Sequence, residues 1–328
     1  MKIHPMWQEF PTIQKDLNQT LTLMEKSIQI NNKPVKQAIV DMIHSGGKLL
    51  RPAYQLLFAQ FGPNQEAKKA VALAASIELL HTATLIHDDI IDMSELRRRL
   101  PTIQATFGND VAVYAGDYLF ICCFKLLAGY ASSLKSIQLN SVSMEKVLIG
   151  ELGQMNFRYD YSGGVAAYLD NITGKTAELF ALSCFVGAYE SGCSQKMANN
   201  ARKIGLNIGI AFQIIDDILD YSQTSKKIGK PVLEDVKQGV YSLPLLLALE
   251  NKKEELAPLL AKKENLSDAE AEEIFALVHA ADGVKKAQAL AEQYTKDALV
   301  AIEKLPDNSM NTKETLKKLT TKILWREN

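Results

Sequence analysis

The chain offers little of what would mark several common functional classes. Among its 328 residues there are four cysteines, Cys122, Cys123, Cys184 and Cys193. They make no CxxC pair and no Cys/His cluster at zinc spacing, so neither a disulfide framework nor a zinc site is expected, only reduced core thiols. The opening residues, MKIHPMWQEF, lack the apolar stretch of a secretory leader. No uninterrupted run reaches the roughly 18 apolar residues of a spanning helix. The longest candidate, VALAASIELLHTATLIHDDIID, is broken by Glu, His and Asp. Excess charge of either sign is absent too: 37 Lys and Arg against 38 Asp and Glu give a formal net charge of −1. No global field therefore recruits nucleic acid, and membrane contact is expected to be peripheral at most. These absences point to a cytoplasmic protein. They also mean that an anionic substrate must be held by local cations, or by metal ions on local acids.

There is also no train of short alternating strands, no fixed-period repeat and no low-complexity segment. What remains is helical periodicity, in a chain that is 47% apolar and 23% charged. The pattern predicts long helices over 65–92, 104–128, 133–156, 164–190 and 195–222, and shorter amphipathic ones over 267–281 and 283–304. Pro34, Pro52, Pro63, Pro101, Pro231, Pro244 and Pro306 fall at breaks, and Pro52 suits a first helical turn. The loop-like stretches are 158–165 and 222–235. Several helices are apolar nearly all round, so they belong inside a bundle. The expectation is a single all-α domain spanning 1–328, a bundle of long antiparallel helices around a central cavity.

One pattern occurs twice. Asp88, Asp89 and Asp92 form a DDxxD inside an apolar helix, and Asp216, Asp217 and Asp220 form another. Residues four apart stand one above the other on a helix, about 6 Å apart at Cβ. Asp88 and Asp92 therefore share a face, as do Asp216 and Asp220. Like charges at that spacing repel, and the flanking Ile and Leu partly bury them. A cation removes both penalties. Oxygen donors with an incomplete protein shell suit Mg²⁺, which keeps waters and accepts phosphate oxygens. Two such faces, opposed across a bundle, would grip a metal-bridged diphosphate. A Ca²⁺ loop is excluded: its third position would be Ile90 or Ile218, and its sixth Met93 or Tyr221.

Cations accompany the acids. Gly46-Gly47-Lys48-Leu49-Leu50-Arg51-Pro52 joins a flexible pair of glycines to a helix start with two positive side chains, a suitable anion site. Arg97, Arg98 and Arg99 follow the first acid motif, and His81 precedes Asp88 by seven residues. Taken alone, the arginines read first as a solvated charge run and His81 first as a satisfied core histidine; a phosphate clamp is the second reading of the arginines. Lys226, Lys227 and Lys230 follow the second motif. Gly174-Lys175-Thr176 is not a P-loop, because Leu169 stands where the first glycine is required.

In this order the motifs resemble the trans-isoprenyl diphosphate synthase (polyprenyl synthetase) family, over about Gly46 to Pro244. The matching pieces are GGKLLRP, ELLHTATLIHDDIID, GDYLF, GKTAELF, FQIIDDILD, and GKPV with SLP. The resemblance implies an isoprenoid-synthase bundle in which all six motif aspartates bind Mg²⁺, two to three ions in all. Arg97, Lys175, Thr176, Gln213 and Lys230 would hold the allylic diphosphate. Gly47, Lys48, Arg51, His81 and Arg98 would hold isopentenyl diphosphate. Allylic ionisation, attack by the isopentenyl double bond and loss of a proton would follow. The partner would be a second copy of the chain, or a small regulatory subunit as in a two-component heptaprenyl-type synthase.

Departures from the family pattern are specific. Arg99 and Leu100 replace its Gly-Lys in LRRGKPT, Leu233 replaces a later Gly, Val240 a Lys, and Ser242 a Thr. Ala83 and Thr84, one helical turn before Asp88, are small where short-chain members carry aromatics. They imply products of C30–C40, with Phe120 and Phe124 as a floor. The rival readings are a short-chain (C15–C20) synthase, a class I terpene cyclase, which would not carry DDILD as its second motif or need GGKxxRP, and a non-catalytic regulatory subunit, which would have lost acid motifs.

Overall fold

In the computed structural model, residues 3–156, 158–222 and 233–325 are described. Apart from one two-residue hairpin, the regular structure among them is helical. The chain divides into two compact units. The first comprises Met1–Ser141, Leu182–Arg202 and Pro306–Leu316; the second comprises Val142–Ala181, Lys203–Leu305 and Lys317–Asn328.

The first unit opens with α1 (Pro11–Ser27), α2 (Lys33–His44), α3 (Leu50–Ala59) and α4 (Ala67–Ile91). Local sequence sets their starts. Asn32 caps α2 by accepting the Val35 N–H at 3.3 Å, and Pro34 occupies its first turn. Pro52 sits likewise in the first turn of α3. A hairpin, β1 (Leu96–Arg97) and β2 (Leu100–Pro101), pairs Leu96 with Pro101 and Arg97 with Leu100. Then come α5 (Ile103–Phe107), capped by the Thr102 hydroxyl, and α6 (Asn109–Tyr130). The helix expected over 104–128 is thus split: Gly108, with φ +91°, turns the chain between α5 and α6.

α4 packs against α1, α3 and α6. Both α4 and α6 are long and apolar enough to cross a membrane, which the broken runs in the sequence did not suggest. Over its most apolar stretch α4 is 78% buried, so it is the core helix of its unit, whereas α6 is only 44% buried. α7 (Leu134–Asn156), α9 (Glu178–Glu190) and α10 (Gln195–Leu219) contribute residues to both units.

The second unit holds α8 (Gly164–Ile172), a π-helical turn at Thr173–Ala177, α11 (Glu234–Lys237), α12 (Leu243–Leu260), α13 (Asp268–Ala280) and α14 (Gly283–Glu303). α15 (Thr312–Leu324) closes the chain. α12 packs on α8, α13 and α14 around a core that includes Tyr221, Leu245, Leu249, Leu256, Ile274 and Val278. The helix expected over 164–190 follows its predicted span but is interrupted by the π turn. Such turns insert one residue into the ladder and often mark functional positions.

Candidate active site

Both acid motifs end their helices. Asp92 is the C-cap of α4, and Asp220 lies immediately after the last residue of α10. A helix C-terminus carries partial negative charge, so carboxylates there are disfavoured without a cation. Within each motif the three acids have different surroundings. In the first unit Asp89 is 3% exposed, while Asp88 is half-buried and Asp92 exposed. The Asp89 Oδ1 accepts from Arg97 Nε at 2.8 Å and Arg97 Nη2 at 2.7 Å. β1 delivers that arginine, and the hairpin is closed by Arg98 and Arg99, both in left-handed backbone at φ 51° and 69°.

The turn also places Arg98 against the GGK loop. A Cβ on Gly47 would lie 2.6 Å from Arg98 Nη1, so the guanidinium rests directly against the bare glycine backbone. Arg98 Nη1 also donates to Ser45 Oγ at 3.3 Å. In the first turn of α3, Arg51 Nη1 lies 3.2 Å from His81 Nε2. Arginine can only donate, so His81 Nε2 is the acceptor and its proton sits on Nδ1. Burial first, then the charges of Arg51, Arg98 and Arg97, hold His81 well below the usual imidazole range, so it is neutral. On the same face of α4, Glu78 is buried, and its carboxyl is pushed up by burial against the opposing pull of Arg51 and Arg98. A small cavity is lined by Gly47, Glu78, Thr82, Leu85 and Arg98. The first unit thus places Gly47, Arg51, His81 and Arg98, four of the five residues named there from the sequence, around Glu78 and one another. Glu78 was missed, although it lies one turn before His81. Ala83 and Thr84 are buried. Phe120 packs tilted against His87, at 5.4 Å between ring centroids, whereas Phe124 is exposed.

In the second unit the π turn presents Lys175 and Thr176. Gly150 on α7 makes room for it: a Cβ there would come within 2.6 Å of the Lys175 backbone nitrogen. Lys175 Nζ pairs with Glu151 at 2.9 Å and Gln154 at 2.8 Å. Thr176 Oγ1 donates to Gln213 Oε1 at 2.7 Å, and Gln213 Nε2 donates to Asp217 Oδ1 at 2.8 Å. The other Asp217 oxygen accepts from the Tyr168 hydroxyl at 2.5 Å. Burial pushes Asp217 up to about 7, against the stabilising bonds from Tyr168 and Gln213. Asp220 is pushed up to about 6, by burial and by the neighbouring charges of Asp235 and Asp216. Asp235 in α11 is thus a fourth acid of this cluster. The sequence pattern did not single it out, although it lies two residues after Leu233. Tyr168, Glu151 and Gln154 left no cue. Lys226, Lys227 and Lys230 lie outside the described residues.

Among the described residues no three carboxylate, imidazole or thiol side chains converge into an all-protein metal cage. The donors that do gather are oxygens only, with the outer acids of each motif four residues apart on a helix end. This set fits a hard cation whose shell is completed by water and phosphate, as Mg²⁺ requires.

The polyprenyl synthetase family model matches residues 32–278. The component 2 chain of heptaprenyl diphosphate synthase from Geobacillus stearothermophilus is 35% identical over 286 residues, covering 87% of this chain and 88% of its own. A geranylgeranyl pyrophosphate synthase structure from Lactobacillus brevis superposes with a TM-score of 0.94 at 42% identity, covering 98% of this chain and 99% of its own. A polyprenyl synthase from Caulobacter crescentus, solved with calcium and isoprenyl diphosphate, gives a TM-score of 0.88 at 29% identity over 97% of both chains. With the fold, the motif order and a family match over most of its length in agreement, the chain belongs to the polyprenyl synthetase family and is an enzyme of the prenyl diphosphate synthase kind, a transferase.

Proposed function

We propose that this enzyme condenses isopentenyl diphosphate with an allylic diphosphate, such as farnesyl or geranylgeranyl diphosphate, to give an all-trans polyprenyl diphosphate of C30–C40. One repeated observation carries the reading. In both motifs the middle acid, Asp89 or Asp217, is engaged by protein donors. The outer pairs, Asp88 with Asp92 and Asp216 with Asp220, are four residues apart in the last turns of their helices, where like charge and the helix C-terminus both favour a nearby cation. We assign the outer pairs as Mg²⁺ ligands and the middle acids as anchors that fix them.

When bound, the Mg²⁺ ions supply charge neutralisation for the diphosphate leaving group. Arg97, Lys175, Thr176 and Gln213 hold the allylic diphosphate, with Lys230 as a further cation from the sequence. Lys175 and Arg97 are charge-balanced by Glu151 and Asp89, which keeps them oriented before substrate arrives. Lys48, Arg51 and Arg98 hold isopentenyl diphosphate, and the bare backbone of Gly47 lets that anion approach. Neutral His81 accepts from Arg51 and so aims the guanidinium without adding charge. The allylic C–O bond breaks, the isopentenyl double bond attacks the cation, and a proton leaves to the departing diphosphate. No Ser or Cys nucleophile is required.

Small side chains at Ala83 and Thr84 support the longer product. The likeness to the Lactobacillus brevis geranylgeranyl pyrophosphate synthase favours a second reading, a C20 product. The family match runs through residues of both units, which supports reading 1–328 as one synthetase domain. α6 leaves Val113, Tyr114, Ile121 and Phe124 exposed, an apolar stripe that suits a second copy of the chain. The component 2 relative makes a small regulatory partner the alternative.

The test is incubation of the purified chain with Mg²⁺, farnesyl diphosphate and radiolabelled isopentenyl diphosphate, followed by chain-length analysis. Incorporation into C30–C40 products supports the reading, and a C20 product moves it to the second. Incorporation only after a partner is added marks a two-component enzyme. No incorporation under any of these conditions refutes it. Light scattering on the same preparation reads the oligomeric state.

A further inference from the structure

We infer that Tyr168 is a positioning residue of the active site, locking the second acid motif through Asp217. The inference rests on the reading of that motif given above. Tyr168 lies on α8, outside every motif of the sequence, half-buried against the core that holds Tyr221 and Leu245. Its hydroxyl donates to Asp217 Oδ2 at 2.5 Å, within the range of a short charge-assisted O–H···O⁻ bond. On the other side Gln213 donates to Oδ1, and Thr176 donates to Gln213. The result is a directional chain, Thr176 to Gln213 to Asp217, closed from the opposite end by Tyr168.

Each Asp217 oxygen thus has a protein donor, and the carboxylate cannot swing without losing one. With Asp217 fixed, the last turn of α10 is fixed, and with it the i, i+4 geometry of Asp216 and Asp220. Gln213 and Thr176 are held by the same chain. Remove the Tyr168 hydroxyl and Asp217 is free to rotate about its remaining bond. Outer-shell partners of metal-ligating groups typically cost 10–100-fold in metal affinity or activity when deleted. Allylic diphosphate and Mg²⁺ should therefore feel the loss, and isopentenyl diphosphate should not.

The experiment compares the parent, Tyr168→Phe, Asp217→Asn and the double variant. Steady-state kinetics give KM for each substrate and the Mg²⁺ half-saturation. Calorimetry of Mg²⁺ with inorganic diphosphate gives binding without turnover. Tyr168→Phe should raise the allylic KM and the Mg²⁺ half-saturation about tenfold, weaken the calorimetric affinity in step, and leave KM for isopentenyl diphosphate within about twofold. Added to Asp217→Asn it should change nothing further, because both act through one carboxylate. If Asp217→Asn moves these constants and Tyr168→Phe does not, or if the two effects multiply, the proposal is overturned. If Asp217→Asn itself moves none of them, the reading of the second motif fails, and the proposal with it. A Tyr168→Phe chain that does not fold also overturns it, by making Tyr168 a structural residue.

Discussion

Arg99 and Leu233 occupy two positions where the family pattern carries glycine, and both have left-handed backbone, at φ 69° and 56°. A non-glycine residue in that region costs roughly 1–2 kcal/mol. The two differ in what the side chain contributes. Arg99 is exposed at a two-residue hairpin turn, where left-handed backbone at both central positions favours glycine. Leu233 is 5% exposed and packs in the core with Val236 and Tyr241. Arg99→Gly should therefore stabilise the chain by about 1 kcal/mol. Leu233→Gly should destabilise it, because deleting a buried Leu side chain costs about 2–5 kcal/mol, more than the strain relieved. Urea unfolding of the two variants checks both signs. At this scale the sequence identified the substitutions but not their consequence, because φ is set by the path of the chain. It likewise treated the six motif acids as equals. The structure distinguishes their surroundings: Asp89 pairs with Arg97, and Asp217 accepts from Tyr168.

Helices are the level at which the sequence was most legible. The spans expected for 133–156, 267–281 and 283–304 agree with α7, α13 and α14 to within a residue or so. Their apolar period and caps are local, as in the Ser267–Glu270 capping box of α13. That box carries a pH signature. The Lys262 ammonium and the bonds from Ser267 hold Glu270 down to about 2. A depressed carboxyl contributes stability above its unfolded value, about 4.3, and loses it as pH falls toward the folded value. The melting temperatures of the parent and Glu270→Gln should differ at pH 6 and converge as pH drops from about 5 to about 2. Along α4 the same helical period places Ala83 just over one turn before Asp88. Ala83→Phe should shorten the product, read by chromatography of the dephosphorylated alcohols. Unchanged length would remove Ala83 from the product path. Ala83 is fully buried, so the variant should also lose about 1–3 kcal/mol to overpacking, and a thermal melt distinguishes that loss from the change in product. The breaks at Gly108 and at the π turn escaped the pattern. One glycine, or one inserted residue, barely changes an 11–18-residue average.

For the whole molecule, the near-zero net charge and the gathering of oxygen donors into two acid motifs lead to one further expectation. Because no all-protein metal cage forms among the described residues, the fold should survive chelation while turnover does not. EDTA should abolish isopentenyl incorporation and Mg²⁺ should restore it, with little change in melting temperature. Mg²⁺ with inorganic diphosphate together should raise that temperature by mass action. What the sequence determined by itself was the all-helical class, the two DDxxD motifs on helices, the GGKLLRP segment at the start of a helix, and the family. All of these follow from helical period and spacings of a few residues. What only the tertiary structure decided was the surroundings of each candidate group: Asp89 paired with Arg97, Asp217 accepting from Tyr168, His81 neutral beside Arg51, and Arg98 against Gly47. The reason is distance along the chain. Tyr168 meets Asp217 across 49 residues and Arg98 meets Ser45 across 53, and a period of 3.6 residues carries no information over such separations.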